Sequence, residues 1–257
     1  MFDTTSSPSQ LFRCPSVFAA FPQLIAAEST RHGGVSPAPY ASLNLGLSTA
    51  DSAAHVAENL NRFWNALGVR PEQVASSFQV HGAEILEVIQ PARYEGFDAL
   101  ITNQKDIILS VTIADCTPIL IYDQNQGAIA AIHAGWRGTV QEIVAKTIKQ
   151  MTSSYGTNPA HCHAYVGTCI DECSFEVGDE VAAQFGPAYK RFDSTAGKYF
   201  VDLKKANRQQ LIEAGVPASA IELSPYSTVL HNQDYFSYRK ENGLTGRLLA
   251  CIGLKSN

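Results

Sequence analysis

Three side chains that can bind a transition metal stand where β-like runs give way to turns. His81 ends the run SSFQVH, Cys116 follows IILSVTIAD, and His133 ends GAIAAIH. Ligand sites in layered α/β proteins are commonly built at the ends of strands. We therefore expect the three side chains to converge at one edge of a sheet, provided that their strands are neighbours.

Two imidazoles and one thiolate form a three-ligand set for Zn²⁺, and a three-ligand zinc keeps a fourth position for water or substrate. Such an open position is typical of catalytic rather than structural sites. Zinc would lower the pKa of the water there and polarise a carbonyl or a leaving group. The spacing of the three residues has no local signature, so the alternative is that they are separately buried core residues.

A second segment, HCHAYVGTCIDEC at positions 161–173, holds two histidines and three cysteines. Its histidines would share one face of a strand and Cys162 the other, because side chains alternate along a strand. No further pair of ligands accompanies Cys169 and Cys173 at zinc-finger spacing. We interpret this segment as structural.

Arg31 is a candidate for binding an anion. It precedes Gly33 and Gly34 in the loop TRHGGVSPAP, whose backbone amides can help to hold a negative charge. A guanidinium also grips phosphate or carboxylate with two hydrogen bonds. A solvated loop arginine is the alternative. Arg137 lies near a predicted helix start and is a second candidate, while Trp136 can stack on a ring or serve in packing.

Apolar residues at helical spacing predict a helix over Asp51–Leu67, with Asp51 or Ser52 as its cap and Gly68 at its end. Further helices are predicted over Thr139–Met151, Glu176–Gln184 and Asp202–Ala214.

Short β-like runs outnumber these helices and do not alternate with them regularly. This order favours a layered α/β fold of the α+β type with mixed sheets. No linker divides the chain, so we predict a single domain over residues 11–257. The Ser/Thr-rich start, residues 1–10, is predicted to be a disordered tail.

Composition excludes several classes of function. The 257 residues have a formal net charge of -5 and a sequence pI of about 5.8, and no basic stripe is present. Nucleic acid and membranes are therefore not expected as partners. The apolar runs are too short to cross a bilayer, and we see no signal peptide. The six cysteines have no disulfide-framework spacing, which predicts reduced thiols and a cytoplasmic location.

The motifs TRHGGVS, YASLNLG, FQVHGAEI, ADCTPIL, IHAGWRGT, SFEVGDEV and FSYRKENGLTGR occur in this order. With them the chain resembles the laccase-domain family from about residue 24 to 254. Members of that family are also named polyphenol oxidase, purine nucleoside phosphorylase or peptidoglycan editing factor. One departure is Ser227, which stands where members often have a cysteine.

The resemblance implies a single-domain α/β/β/α sandwich with mixed sheets, and zinc bound by the triad of His81, Cys116 and His133. It also implies a role in activity for Arg31, with Asn44 and Glu176 as supporting substrate-binding residues. Cu²⁺ would bind such ligands adventitiously, since copper outranks zinc for them.

The first function that the resemblance implies is phosphorolysis of adenosine, inosine and S-methyl-5′-thioadenosine, with possible deamination of adenosine. In that function Arg31 would hold the phosphate, while Cys116 and His133 are the other residues expected at the catalytic centre. The alternative is an amide hydrolase that removes a misincorporated amino acid from a UDP-muropeptide precursor. It would use a metal-activated water or Cys116 as a thiolate nucleophile.

Two further functions are disfavoured by the residues. A copper polyphenol oxidase needs many clustered imidazoles or an axial methionine, whereas the chain has seven histidines and its two methionines, Met1 and Met151, lie far from the triad in sequence. A non-enzymatic protein with a structural zinc would need four ligands rather than three.

Overall fold

The structure, a computed structural model, describes residues 11–256. The predicted disordered tail at residues 1–10 lies outside the described residues. Its strands in chain order are β1 (Phe12–Arg13), β2 (Leu24–Ser29), β3 (Val74–Phe78), β4 (Ile85–Glu87), β5 (Arg93–Glu95), β6 (Ala99–Thr102), β7 (Ile108–Ile113), β8 (Thr117–Asp123), β9 (Ala128–Ala134), β10 (Cys162–Val166), β11 (Glu176–Val177), β12 (Lys190–Asp193), β13 (Lys198–Val201), β14 (Ile221–Leu223) and β15 (Leu248–Leu254). The helices are α1 (Ala53–Leu67), α2 (Trp136–Val140), α3 (Ile143–Tyr155), α4 (Asp179–Ala182) and α5 (Leu203–Glu213).

Two six-stranded mixed sheets form the centre of the fold. The first has the order β1-β2-β15-β7-β3-β5 and the second the order β14-β10-β8-β9-β6-β4. Antiparallel pairs predominate in both sheets. The parallel pairs of the first sheet are β3 with β5 and β3 with β7. Those of the second sheet are β4 with β6 and β10 with β14. A small antiparallel sheet, β11-β13-β12, lies beside them.

The two large sheets pack face to face and are covered by helices on their outer faces. Leu109 of β7 and Ile252 of β15 meet Leu120 of β8 and Ile129 of β9 in the core between the sheets. On the outer face of the first sheet, Phe63 and its neighbours on α1 form a second core with residues of β2, β7 and β15. Helices α3 and α5 cover the outer face of the second sheet. These layers confirm the predicted α/β/β/α order.

The helix predictions were right where the sequence has clear boundaries and wrong in two places. Helix α1 begins after Ser52 and ends at Gly68, whose φ of 67° is the left-handed conformation that glycine adopts readily. The predicted helix Thr139–Met151 is instead divided into α2 and α3, because Glu142 has a φ of 60° and interrupts the helical path. The predicted helix Glu176–Gln184 is reduced to the four residues of α4, and its first two residues form β11.

The six cysteines are free thiols, as the sequence predicts. Within residues 11–256, no helix has the length and apolar character needed to cross a bilayer.

Candidate metal centre and cavity

Two connections between the large sheets bring the predicted ligands together. His81 lies in the connection that leaves β3 of the first sheet for β4 of the second, and Cys116 lies in the connection from β7 to β8. His133 is the penultimate residue of β9. Pro118 pairs with His133 across β8 and β9, so Cys116 lies at the same sheet edge. Pro118 is the second residue of β8.

The ligand atoms of His81, Cys116 and His133 all lie within 4.8 Å of one another. The two imidazole rings are 4.9 Å apart at their centroids and nearly perpendicular, at 81°. Gly135 borders the cluster, since a Cβ there would lie 3.1 Å from Cys116 Sγ and 3.2 Å from His81 Cδ2. The expected convergence of the three side chains at a sheet edge is therefore present.

Asp98, which sequence reasoning missed, holds two of the three candidate ligands. It is buried and directly precedes β6, and its Oδ1 accepts hydrogen bonds from His133 Nδ1 at 2.7 Å and from His81 N at 3.0 Å. Its Oδ2 accepts from the amides of Gly82 at 2.7 Å and Val80 at 3.2 Å. These bonds leave Nε2 of His133 free for a metal. A carboxylate on the far nitrogen of a metal-binding histidine is the usual way to fix its orientation.

The protonation states of Cys116 and His133 follow from the charges that these two groups exert on each other. Burial raises the pKa of Cys116, but the charge of His133 and hydrogen bonds with both histidines outweigh it and lower that pKa to about 6. Burial lowers the pKa of His133, but the Cys116 thiolate and the Asp98 hydrogen bond raise it to about 9. Cys116 is therefore a thiolate at neutral pH, which is the form that binds metals.

The donor set fits zinc better than a multicopper centre. Within residues 11–256, the triad is the one group of three or more His, Cys, Asp or Glu side chains close enough to share a metal ion. The histidine- and cysteine-rich segment 161–173 supplies no side chain to this group, in agreement with its interpretation as structural. A trinuclear copper centre needs more imidazoles than two, and Met151 is buried against the second sheet in α3.

A cavity of about 640 Å³ opens beside the triad, and all three candidate ligands line it. Its walls combine large apolar or aromatic side chains with arginines. The apolar and aromatic residues include Leu47, Leu60, Trp64, Phe78, Trp136, Phe175 and Tyr238, and the arginines are Arg93, Arg137, Arg239 and Arg247. Pockets of this size and character are typical sites for small molecules.

With this geometry in place, similarity to known proteins becomes informative. Residues 25–255 match the family described as multi-copper polyphenol oxidoreductase laccase. The chain belongs to this family.

Relatives within the laccase-like family support its assignment to enzymes. A purine nucleoside phosphorylase of Deinococcus radiodurans is 41% identical over 230 residues, which cover 89% of this chain and 88% of the relative. A protein of the same name from Bacteroides thetaiotaomicron is 37% identical over 240 residues, covering 87% and 89%. The crystal structure of YlmD from Geobacillus stearothermophilus matches with a TM-score of 0.91 at 31% identity, over 98% of each chain. These matches confirm the predicted fold class.

In this member of the laccase-like family, Arg31 is bound to protein groups. Its Nε donates to the carbonyl of Ala41 at 2.9 Å, Nη1 to the carbonyl of Asn232 at 2.7 Å, and Nη2 to the Glu241 carboxylate at 3.1 Å. Its guanidinium also lies 4.4 Å from the centre of the Phe236 ring. Arg31 is not among the residues that line the cavity, and its action on substrate stays a prediction.

Asn44 and Glu176, the other predicted substrate-binding residues, also lie outside the cavity lining. Asn44 is fully buried, and its amide hydrogen-bonds within its own loop and to the backbone of Arg247. The Glu176 carboxylate lies 3.4 Å from Lys198 Nζ, and its carbonyl accepts from Arg239 Nη2 at 3.0 Å. Contact of Asn44 and Glu176 with substrate stays a prediction.

Arg137 and Trp136, by contrast, do line the cavity. Arg137 is exposed, and its guanidinium carbon lies 4.4 Å from the centre of the Trp136 ring. Trp136 also packs against the core around α4 and β13. The position of Trp136 therefore allows both roles expected of it, packing and stacking on a ring.

Asp115 links the triad to the C-terminal motif of the family. Its carboxylate accepts hydrogen bonds from Thr228 Oγ1 at 2.5 Å and from the amide of Arg239 at 2.6 Å. Its carbonyl accepts from Ile170 N at 3.0 Å. The residue that precedes Cys116 thus ties together the segments that close one side of the cavity.

Proposed function

We propose that this protein is a zinc-dependent purine nucleoside phosphorylase that acts on adenosine, inosine and S-methyl-5′-thioadenosine. The observation that carries the proposal is the placement of the His81–Cys116–His133 cluster on the wall of a cavity with arginine and aromatic side chains. The names of the relatives from two distant bacteria support it. The cytoplasmic location stays a prediction.

His81 and His133, with the Cys116 thiolate, would hold the zinc, and Asp98 would keep His133 in the required orientation. Two histidines and a cysteine leave one coordination position for water or substrate. When bound, zinc would supply a Lewis acid at the end of the cavity. We assign the physiological metal as zinc on the character of these ligands, and treat copper as adventitious.

The reaction requires a phosphate and a nucleoside to be held side by side. A phosphate oxygen forms a bond to C1′ of the pentose while the bond from C1′ to the purine nitrogen breaks. The electron pair of that bond goes to the purine, which takes up a proton and leaves as the free base, and the sugar leaves as pentose 1-phosphate. Positioning and electrostatic stabilisation are the main requirements of such a transfer.

Residues of the cavity wall suit both reactants. The arginines offer positive charge to the phosphate, and Trp136, Phe175 and Tyr238 offer aromatic faces to a purine ring. We extend the proposal to deamination of adenosine, in which water replaces the 6-amino group and ammonia is released. That reaction needs the same purine-binding cavity but no phosphate.

Product analysis with purified zinc-loaded protein tests the proposal. Inosine, adenosine and S-methyl-5′-thioadenosine are incubated with and without phosphate, and free base, pentose 1-phosphate and inosine are quantified by chromatography. We expect base release that depends on phosphate and is lost in Cys116→Ala. Absence of turnover of every nucleoside by protein that contains one zinc per chain would reject the proposal.

One observation favours a second candidate, the amide hydrolase. The lowered pKa of Cys116 beside His133 is also the state of a cysteine nucleophile with its histidine base. A UDP-muropeptide precursor with a misplaced amino acid serves as the substrate in the same assay. Release of that amino acid, without any release of purine from nucleosides, would move the assignment to this candidate.

A further inference from the structure

The cavity beside the triad has an excess of positive charge in a chain whose formal net charge is -5. Four arginines line it, and within residues 11–256 none of the four forms an ion pair with a carboxylate. Asp115 is the one acidic residue in the described lining. Its two carboxylate oxygens already accept hydrogen bonds from Thr228 and from the amide of Arg239. The cavity is therefore suited to an anion.

Arg247 differs from the other three arginines. Arg93, Arg137 and Arg239 are exposed, whereas Arg247 is half-buried. Its Nη1 donates to the carbonyls of Thr245 and Gly246, each at 3.0 Å. In the described part of the chain, its Nε and Nη2 donate no hydrogen bond. Burial also lowers the pKa of Arg247, and the charges of Tyr238, Cys116 and Asp115 offset that effect only in part.

The motif SLNLG holds the backbone of Arg247. Asn44 Oδ1 accepts from Arg247 N at 2.9 Å, and Leu45 N donates to the Arg247 carbonyl at 3.0 Å. The side-chain stem of Arg247 packs directly on Gly46, because a Cβ at Gly46 would lie 2.5 Å from Arg247 Cγ. The Tyr238 ring centre lies 5.6 Å from the guanidinium carbon. The guanidinium is thus positioned by the protein before any ligand arrives.

We infer that Arg247 binds the inorganic phosphate that attacks the nucleoside, and that Asn44 and Gly46 are its positioning residues. A guanidinium with Nε and Nη2 free presents the two parallel donors that match two phosphate oxygens. This inference rests on the proposed function for the identity of the anion. It also accounts for Asn44 without requiring that its side chain contact the substrate.

Calorimetric titration of the zinc-loaded protein with inorganic phosphate tests the inference independently of turnover. Loss of hydrogen bonds to a charged group predicts that Arg247→Met weakens phosphate binding by about 10- to 100-fold. The KM for phosphate should rise by a similar factor, while the KM for inosine changes little. Arg247→Lys keeps the charge and the stem but loses the paired donors, so an intermediate loss is expected.

Three further variants complete the test. Gly46→Ala should also weaken phosphate binding, because the added methyl group displaces the arginine stem. Arg62→Met removes an exposed arginine of α1, which pairs with Glu58, and should leave phosphate binding unchanged. Arg31→Met tests the competing assignment of the phosphate to Arg31.

The outcomes separate this inference from the proposed function. Phosphate binding that is lost in Arg247→Met, in a protein that cleaves no nucleoside, would reject the proposed function and retain Arg247 as the anion-binding residue. Phosphorolysis with an unchanged phosphate affinity in Arg247→Met would retain the function and overturn the inference. Loss of binding in Arg31→Met alone, or no measurable phosphate binding by the wild type, would overturn it as well.

Discussion

Replacing Asp98 with asparagine should weaken zinc binding without changing any of the three candidate metal ligands. The two carboxylate oxygens accept four hydrogen bonds, from His133 Nδ1 and from the amides of Val80, His81 and Gly82. An asparagine has one oxygen and one NH₂ group in their place. Whichever way the amide is turned, its NH₂ faces two N–H donors, so two of the four buried bonds are lost.

The magnitude follows from the two effects of this change. Removing a carboxylate that orients a metal-binding histidine typically lowers metal affinity by about 10- to 100-fold. Each buried donor left without an acceptor costs about 1–3 kcal/mol of folding free energy. We therefore expect Asp98→Asn to lose both zinc affinity and stability, although His81, Cys116 and His133 are all retained.

Competition with a chromophoric zinc chelator measures the affinity, and urea unfolding of the metal-free protein measures the stability. Asp123→Asn is the matched control, because Asp123 is also buried but lies at the opposite end of β8 from Cys116. Among the described residues, its carboxylate accepts only from the turn amides of Asn125 and Gln126. Because asparagine keeps the one oxygen that accepts both amides, Asp123→Asn should leave zinc affinity intact and should lose less stability than Asp98→Asn. Zinc affinity of Asp98→Asn within about twofold of the wild type would refute the reasoning.

Three other predictions test the site and the fold. Gly135→Ala places a methyl group 3.1 Å from Cys116 Sγ. It should lower zinc affinity while the free energy of unfolding stays close to that of the wild type. A zinc affinity equal to that of the wild type in the chelator assay would contradict this. Phe63→Ala removes a fully buried ring of α1 and should lower the unfolding free energy in urea by about 3–5 kcal/mol; a loss below about 1 kcal/mol would mean that α1 does not pack as described. Burial raises the pKa of Glu241, but hydrogen bonds from Thr245 and Ser237 and the charge of Arg31 outweigh it, so the pKa is lowered. A carboxylate whose pKa is lowered in the folded state contributes stability that is fully present above the unfolded pKa of about 4.3. This stability is lost as the pH falls from there through the folded-state pKa. Glu241→Gln should thus be destabilised in urea at pH 7 and approach the wild type below about pH 4, and a difference that does not depend on pH would contradict the ion pair.

The strand-end positions of the triad residues and the main helices could be predicted because their signals are local, whereas the expectation that the three residues share one site came from the family resemblance. His81 and His133 each follow a run of β-forming residues, and helix α1 has both an apolar period and a terminal glycine at Gly68. The break at Glu142 has no such signal, since neither glycine nor proline marks the residue that adopts the left-handed φ of 60°. Strand β2, with the sequence LIAAES, has no period-two alternation because both of its faces are covered: Ala26 lies in the core between the two sheets and Ala27 in the core beneath α1.

The residues that organise the site could not be predicted, because their partners are distant in sequence. Asp98 is separated by 17 residues from His81 and by 35 from His133. Asn44 and Arg247 are 203 residues apart, so a buried asparagine in SLNLG gave no indication of the arginine that it holds. For the same reason nothing in the sequence around Arg31 indicated that it pairs with Glu241, which lies 210 residues away.

Two aspartates perform the same task on the two connections that bring ligands from one sheet to the other. His81 and Asp115 have φ angles of 60° and 87°, a left-handed backbone that costs a residue with a side chain about 1–2 kcal/mol. On the first connection Asp98 holds the turn around His81 through three backbone amides. On the second, the Asp115 carboxylate is itself held by Thr228 and by the amide of Arg239. Each network offsets the strain of the turn that it fixes, so the position of each candidate ligand depends on a carboxylate that would not bind the metal itself.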